Sequence, residues 1–467
     1  MARKVILDAD VVPIRDPEGG SRAAPLATLF WGDEVEVLEE QPEHLLVGLP
    51  RRIWDETARH YKDVVVKGLL SRSVPLRQAK LLKVRFLDVG QGDAAMIETP
   101  SGKFVLVDGG EEEHLRRYIN VAFAHLMKNA PLGVDAMIVT HGDADHFAGL
   151  TELANARRNG HGEPMICVER VLHNGLVKGP SSLAESKLFG ATKTHDNQLY
   201  ITSLHDDIRA LPPADLNRPF QAWQKALQRL KAANGGSPLV KRTSYGDTES
   251  LSFLQADGIT AQVLGPITES VSNKDALRFL HEPGSSSISA SHTINGHSVV
   301  LRLSYGNVRF LFGADLNEES EDSLVSRARA DGVSLSSEIL KVPHHGSADF
   351  SPAILEAVRP VVSVVSSGDE SSAKEYIHPR AGLVGALGKY SRASVERPLI
   401  YVTEMVAFFE RVKSDEIHNA YRKKSFGIVH IRTDGERVMV ATHSGRDERK
   451  ESYAFHVGAD GGITFEG

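Results

Sequence analysis

Cysteine is almost absent: Cys167 is the single one in 467 residues. No intramolecular disulfide can form, and no cysteine-based zinc site can be built. Long apolar runs are missing too. Nowhere do roughly 18 consecutive apolar residues occur, so no membrane span is expected. The start, MARKVILDADVVPIRD, holds no apolar stretch of signal-peptide length. A cytoplasmic protein without a membrane partner is the resulting expectation. There is no excess of positive charge either. The formal net charge of -7 provides no chain-wide attraction for nucleic acid or anionic lipid, although a local basic groove is compatible with it. Internal repeats and low-complexity segments are also lacking.

What remains is an ordinary globular composition, 41% hydrophobic and 25% charged, which excludes disorder, collagen or a coiled-coil array as a description of the whole chain. The length suggests about three domains, or one large α/β unit with a small appendage. Residues 1–75 read as β-rich: short strand-like runs such as VILDADVVPIR, TLFWGDEVEVLEE and VVVKGLL are separated by Gly, Pro and Asp turns. Trp31-Gly32-Asp33-Glu34 suggests a hairpin. The spacing is that of a small SH3-like barrel, a module for binding a protein partner. It contributes no candidate ligand, so it should be separable from any chemistry.

From Lys83 the pattern changes to strand, hairpin, helix, strand, helix, the alternation of an α/β unit. The stretch HLRRYINVAFAHLMKNA predicts a helix with Leu115, Ile119, Val121 and Leu126 on its apolar face. Residues 175–250 are polar, with helical patches at ITSLHDDIRAL and FQAWQKALQRLKAAN, and read as an insertion into a main unit of 80–400. A further hairpin turns at Gly306-Asn307. Residues 401–467 form a C-terminal hairpin extension turning at Asp434-Gly435, a strong two-residue turn signal.

The 20 histidines matter by placement. His141-Gly142-Asp143-Ala144-Asp145-His146 puts four metal-competent side chains within one turn, directly after the apolar strand AMIVT. A glycine-containing turn at a strand end can splay alternate side chains around one point. The competing reading is a helix N-cap made by Asp143 or Asp145. Asp315 ends the strand NVRFLFG. His344 and His345 end the strand before VPHHGS, and His378 follows another. Ligands of open α/β folds gather beyond the carboxyl ends of strands, which is where all of these fall.

Together, FLDVGQGDAAMIETPSGKFVLVDGG, VTHGDADHFAGL, SVVLRLSYGNVRFLFGADL and LKVPHHGS resemble the metallo-β-lactamase-fold hydrolase domain. The resemblance is to the branch attached to the ComEC competence DNA-uptake protein, and it runs from about Lys83 to Lys389. It implies an αββα sandwich with a metal site along one edge. It implies that His141, Asp143, Asp145 and His146 are metal ligands, that Asp315 bridges two ions, and that His345 (or His344) and His378 complete the site or shuttle protons. Asp108 would orient the site, and Asp88 and Asp93 would support the metal loop or the substrate. Asp143 stands where the wider superfamily has His, as in the competence branch. The usual third-motif His is not recognisable; Asn295 and His297 are nearest.

The expected function is hydrolysis of a phosphodiester, DNA or RNA included, through two divalent ions, Mn²⁺ or Zn²⁺, with Asp145, His344 and His345 carrying the chemistry. Arg411, Lys413, Arg422, Lys423 and Lys424 could contact phosphates. The alternatives are hydrolysis of another small ester, such as a choline-phosphate ester or a lactone, and a non-catalytic scaffold.

Overall fold

The structure is a computed structural model describing residues 3–19, 25–55, 57–158, 162–368, 378–406, 408–411, 421–425, 427–443 and 452–466. Two sheets are stacked face to face. The first has ten strands in the order Leu239–Arg242, Arg170–His173, Ala136–Val139, Phe104–Val107, Ala95–Glu98, Leu82–Leu87, Ile428–Thr433, Arg437–His443, Ser452–Val457 and Ile463–Phe465. The second has six, in the order Ile259–Val263, Leu301–Tyr305, Val308–Phe312, Ile339–Lys341, Val362–Val365 and Leu399–Val402.

The sequence makes this stacking necessary. Successive strand residues point to opposite faces, and here both faces are apolar. Leu82, Val84, Phe86, Val105, Val107, Ala136 and Ile138 meet Leu301, Leu303, Phe310, Phe312, Val362 and Val364 in a core between the sheets. The alternate residues Phe104, Leu106, Met137 and Val139 face outward and are covered by the helices His114–Ala122, Ala144–Asn155 and Arg218–Arg229. Leu311, Leu340 and Val365 are covered on the other side by Glu318–Ala330, Pro352–Val358 and Ala381–Lys389. The layers are α/β/β/α, the mixed α/β architecture expected from the sequence.

Several local expectations change. Trp31–Glu34 is not a hairpin: Ala27–Phe30 pairs with Val11–Ile14, while Glu34–Glu40 pairs with Arg3–Leu7 and His44–Asp55. The segment is a corner at which the chain passes between two sheets. The helix after Glu113 ends at Ala122, leaving Val121 and Leu126 44% and 47% exposed, because Phe123 and Met127 turn inward instead. The stretch ITSLHDDIRAL begins in the strand Gln198–Ile201 and contains only a short 3₁₀ turn, Ile208–Ala210. Leu239–Arg242, within the polar 175–250 stretch, lies parallel to Arg170–His173 as the edge of the ten-stranded sheet. The C-terminal strand Ile428–Thr433 pairs along its whole length with Leu82–Leu87, so the tail continues that sheet.

Candidate metal centre

The strands Phe104–Val107 and Ala136–Val139 run parallel, as do Val308–Phe312, Ile339–Lys341 and Val362–Val365. Their carboxyl ends meet at one edge of the sandwich and deliver Asp108, His141, Asp315, His345 and Ser366 to one place. The turn after Ala136–Val139 leads into the helix Ala144–Asn155. Asp143 occupies its N-cap position, yet the carboxylate makes no capping hydrogen bond. The helix after Asp315 is capped by Asn317 and Ser320 in a reciprocal capping box, so Asp315 is not needed there either. Both carboxylates are free for other work.

Asp315 Oδ2 is the hub. It lies 3.1 Å from His345 Nε2, 3.3 Å from His146 Nε2 and 3.9 Å from His141 Nε2. Asp145 Oδ2 is 3.6 Å from His345 Nε2 and 3.8 Å from His146 Nε2. Each imidazole is held from behind through Nδ1. His146 donates to Asp108 Oδ2 at 2.9 Å, and His345 donates to the Ser366 carbonyl at 3.0 Å. His141 Nδ1 faces Thr140 Oγ1 at 3.1 Å and Ser298 Oγ at 3.3 Å. Both hydroxyls are donors elsewhere, to Asp108 Oδ2 and the Asn295 carbonyl, so they accept from His141. In all three rings Nε2 faces the centre, buried and without a hydrogen-bond partner. Buried polar atoms are normally paired, and a second-sphere acceptor on each ligating histidine is the usual arrangement of a metal site. The residues therefore fit a divalent cation; His141, His146 and Asp315 on one side, and Asp145, His146 and His345 on the other, are close enough to share one.

The field at this point is negative. Burial alone would depress the basicity of His146 and His345, but Asp315 and Asp145 outweigh it and hold both well above the ordinary histidine value. Burial would raise Asp315, and the same two rings pull it well below the carboxylate range. His141 goes the other way, pushed well down by burial and by the charge of His146.

The backbone is strained here. Asp108, Ala314, His344 and His345 have φ of 58°, 47°, 47° and 51°, a conformation that costs an L-residue about 1 kcal/mol and is common at functional sites. Gly92, in the DVGQGD loop, has φ +100°, and a Cβ there would lie 1.7 Å from the Asp145 carbonyl oxygen. Only glycine lets that loop sit on the ligand turn.

The other sequence candidates fall in different places. Asp93 accepts from Lys341 and lies 3.3 Å from His345 Nδ1. Asp88 accepts from Gly90 N at 3.1 Å and shapes the loop. His344 lies outside the donor groups, with its Nε2 3.3 Å from Asn295 Nδ2. His378 also stands apart, its ring 6.3 Å from that of His344. His297 is turned away, its Nε2 on the Arg278 carbonyl at 2.7 Å. Lys413 and the side chains of Arg411, Arg422, Lys423 and Lys424 lie outside the described residues.

Sequence reasoning missed two lysines. Lys341 is 3% exposed, ion-paired to Asp93 and hydrogen-bonded to the Ala314 carbonyl at 3.1 Å. Lys178 is ion-paired to Asp143. Lys341 had one available signal, its place in an otherwise apolar strand two residues before Pro343; Lys178 had none.

Residues 87–181 match the model of the metallo-beta-lactamase superfamily. The matched segment is about a fifth of the chain. The chain is also similar to the competence protein ComA of Neisseria gonorrhoeae, 41% identical over 86 residues, which is 18% of this chain and 12% of that protein. It thus spans only a small part of that relative's length. Among solved structures, a mutant of CmlA beta-hydroxylase aligns over 70% of this chain and 53% of its own, with 13% identity and a TM-score of 0.30. No helix among the described residues is long and apolar enough to cross a membrane.

Proposed function

We propose that the chain is a metal-dependent phosphodiesterase, with DNA or RNA as the substrate class. The observation that carries the metal-dependent part is the ring of three Nε2 atoms around Asp315 Oδ2, each imidazole pinned through Nδ1. His141, Asp145, His146, Asp315 and His345 are the residues that would hold Mn²⁺ or Zn²⁺, a mixed nitrogen and oxygen set suited to either. A divalent ion there supplies the Lewis acidity that polarises a phosphoryl oxygen and makes water a competent nucleophile at neutral pH. The phosphodiester part is supported by the DVGQGD and HGDADH motifs, shared with a DNA-uptake branch, and by the local similarity to a competence protein.

The protein's own groups have separate tasks in this reading. Asp108 and the Ser366 carbonyl fix ring orientation. Lys341 balances Asp93, so the loop over the centre does not add uncompensated negative charge. His344, outside the donor set and 3.3 Å from Asn295 Nδ2, would pass a proton to a leaving alkoxide in this reading. The test is hydrolysis of plasmid DNA, RNA and bis-nitrophenyl phosphate with Mn²⁺, with Zn²⁺ and with chelator. Chelator-sensitive cleavage of at least one diester supports the proposal. Inertness toward all three with the metal bound, alongside turnover of a lactone or choline-phosphate ester, replaces it by the small-ester reading.

A further inference from the structure

The two halves of the centre share His146 and Asp315 and differ in the rest. In one, Asp145 Oδ2 and Asp315 Oδ2 lie 3.1 to 3.8 Å from the Nε2 atoms of His146 and His345. The other holds the compact group His141, His146 and Asp315, with Asp143 4.0 Å from His141. Among the described residues, Asn295 faces His344, and His297 faces the Arg278 carbonyl. Asp143 belongs to none of the donor groups compact enough for an ion. Its Oδ1 already accepts from the Lys178 ammonium.

That lysine is held in place by its surroundings. It lies in the loop after Arg170–His173, with Val177 buried beside it. Its carbonyl accepts from Asn217 N at 2.8 Å, and Gly179 N donates to the Leu188 carbonyl at 2.8 Å. Asn217 caps the helix Arg218–Arg229, whose Phe220 packs on Gly142 of the ligand turn, so a Cβ at Gly142 would lie 2.7 Å from the Phe220 ring. One helix thus positions both the turn that bears Asp143 and the loop that bears Lys178. The Lys178 side chain is 19% exposed, and its ammonium has two donors besides the one that Asp143 accepts.

We infer that Lys178 takes the place of a second divalent ion in the His141–Asp143 half, so that the centre holds one ion and one fixed ammonium. The inference rests on the metal-dependent reading above and deepens it. Asp145, His146, His345 and Asp315 would hold the single ion, which would supply the Lewis acidity for water, and the Lys178 ammonium would supply the second positive charge to a non-bridging phosphoryl oxygen. Removing the lysine leaves Asp143 uncompensated beside His141 and Asp315 and opens that half to a cation.

The experiment counts ions in the full-length chain, stripped with chelator and reloaded with Mn²⁺ or Zn²⁺, by elemental analysis and titration calorimetry. The expected result is one equivalent in the wild type, one in Lys178→Arg and close to two in Lys178→Ala, with circular dichroism confirming that each variant folds. Two equivalents in the wild type, or a count that stays at one in Lys178→Ala, overturns the inference. Hydrolysis of bis-nitrophenyl phosphate is followed in parallel. The expected counts without any diester hydrolysis would leave the Lys178 assignment standing and remove the phosphodiesterase reading instead.

Discussion

Two clusters of buried charge are finished differently, one on the ten-stranded sheet and one at the edge where strands of both sheets end. In one, Arg85 Nη2 lies 2.6 Å from Glu98, Lys83 lies 3.7 Å from Glu98 and 3.9 Å from Asp33, and Arg432 Nη1 lies 2.8 Å from Asp33 and 2.6 Å from the Trp31 carbonyl. Every carboxylate there meets a cation from the protein itself. In the other, three imidazole Nε2 atoms converge on Asp315 Oδ2. The first cluster joins the N-terminal unit to the sheet, and its carboxylates are paired with cations. The second has the donor set that would take a cation. Burial and charge are common to both, so neither property alone identifies a site; the convergence of unpartnered donors does.

The closed cluster should therefore govern stability and the open one metal and activity. The largest effect is expected at Arg432. Arg432→Met strips Asp33 of its main partner and should cost about 3–5 kcal/mol of unfolding free energy. Metal content per folded molecule should stay at the wild-type value; a loss of metal would mean that the two clusters are coupled. Deleting residues 1–75 should act in the same direction. Trp31, 3% exposed between the Arg77 and Arg437 guanidinium groups and packed near Met439 and Ala441, would leave a bare apolar patch. Separability of that unit from the chemistry is thus a question of stability.

Next in size is the acid response. Burial would raise Glu98, but Arg85 and Lys83 bring it down to about 2 from an ordinary value of 4.5. A carboxyl group depressed on folding contributes stability that is fully present above its unfolded value and is lost as the pH falls through its folded value. Denaturant titrations of the metal-free protein should show about 3 kcal/mol disappearing between pH 4.5 and 2. Glu98→Gln should start less stable at pH 7 and lose less across that window. An unchanged acid limb in the variant would show that Glu98 is not strongly paired in solution.

In the open cluster, Asp315→Asn keeps the shape but removes the hub charge. Diester hydrolysis should fall on the order of a hundredfold, equivalent to about 2.7 kcal/mol, and the retained metal should drop. Metal-free stability should fall, because His146 and His345 lose the carboxylate they are paired with. Lower stability with activity per folded molecule intact would make Asp315 a structural residue. The smallest effect is expected at Thr140, whose hydroxyl donates to Asp108 Oδ2 at 2.6 Å. Thr140→Val should weaken metal affinity about tenfold through the looser Asp108–His146 pair, with little change in fold. Calorimetric titration with Zn²⁺ measures it.

The candidate site was legible wherever its chemistry is local. HGDADH concentrates four donors in six residues, and Asp315 and His345 each follow an apolar strand, so alternation alone predicts that they emerge at a sheet edge. Lys178 and Lys341 were not legible. A lysine in sequence is ordinarily a solvated side chain, and only the packing of other segments shows that these two face Asp143 and Asp93. His344 and His345 are neighbours of identical type, and the left-handed backbone at both directs only His345 into the donor group. The helix after Glu113 was misjudged at its end because Val121 and Leu126 fit the period; Phe123 and Met127 are the larger groups that the core accepts.

Patterning by itself determined that this is an α/β protein, since period-two apolar strands alternate with period-3.6 helices; the two-sheet sandwich entered only as what the family resemblance implied. Patterning also determined where donors emerge, because strand ends and a glycine turn are local features. Tertiary structure alone decided how the donors divide, which carboxylates are already neutralised by lysine, and that the tail extends the first sheet. Those outcomes depend on distances between segments far apart in the chain, such as Asp143 with Lys178 and Leu82–Leu87 with Ile428–Thr433. No local period encodes such a distance; it is set by the packing of the two sheets and the helices that cover them.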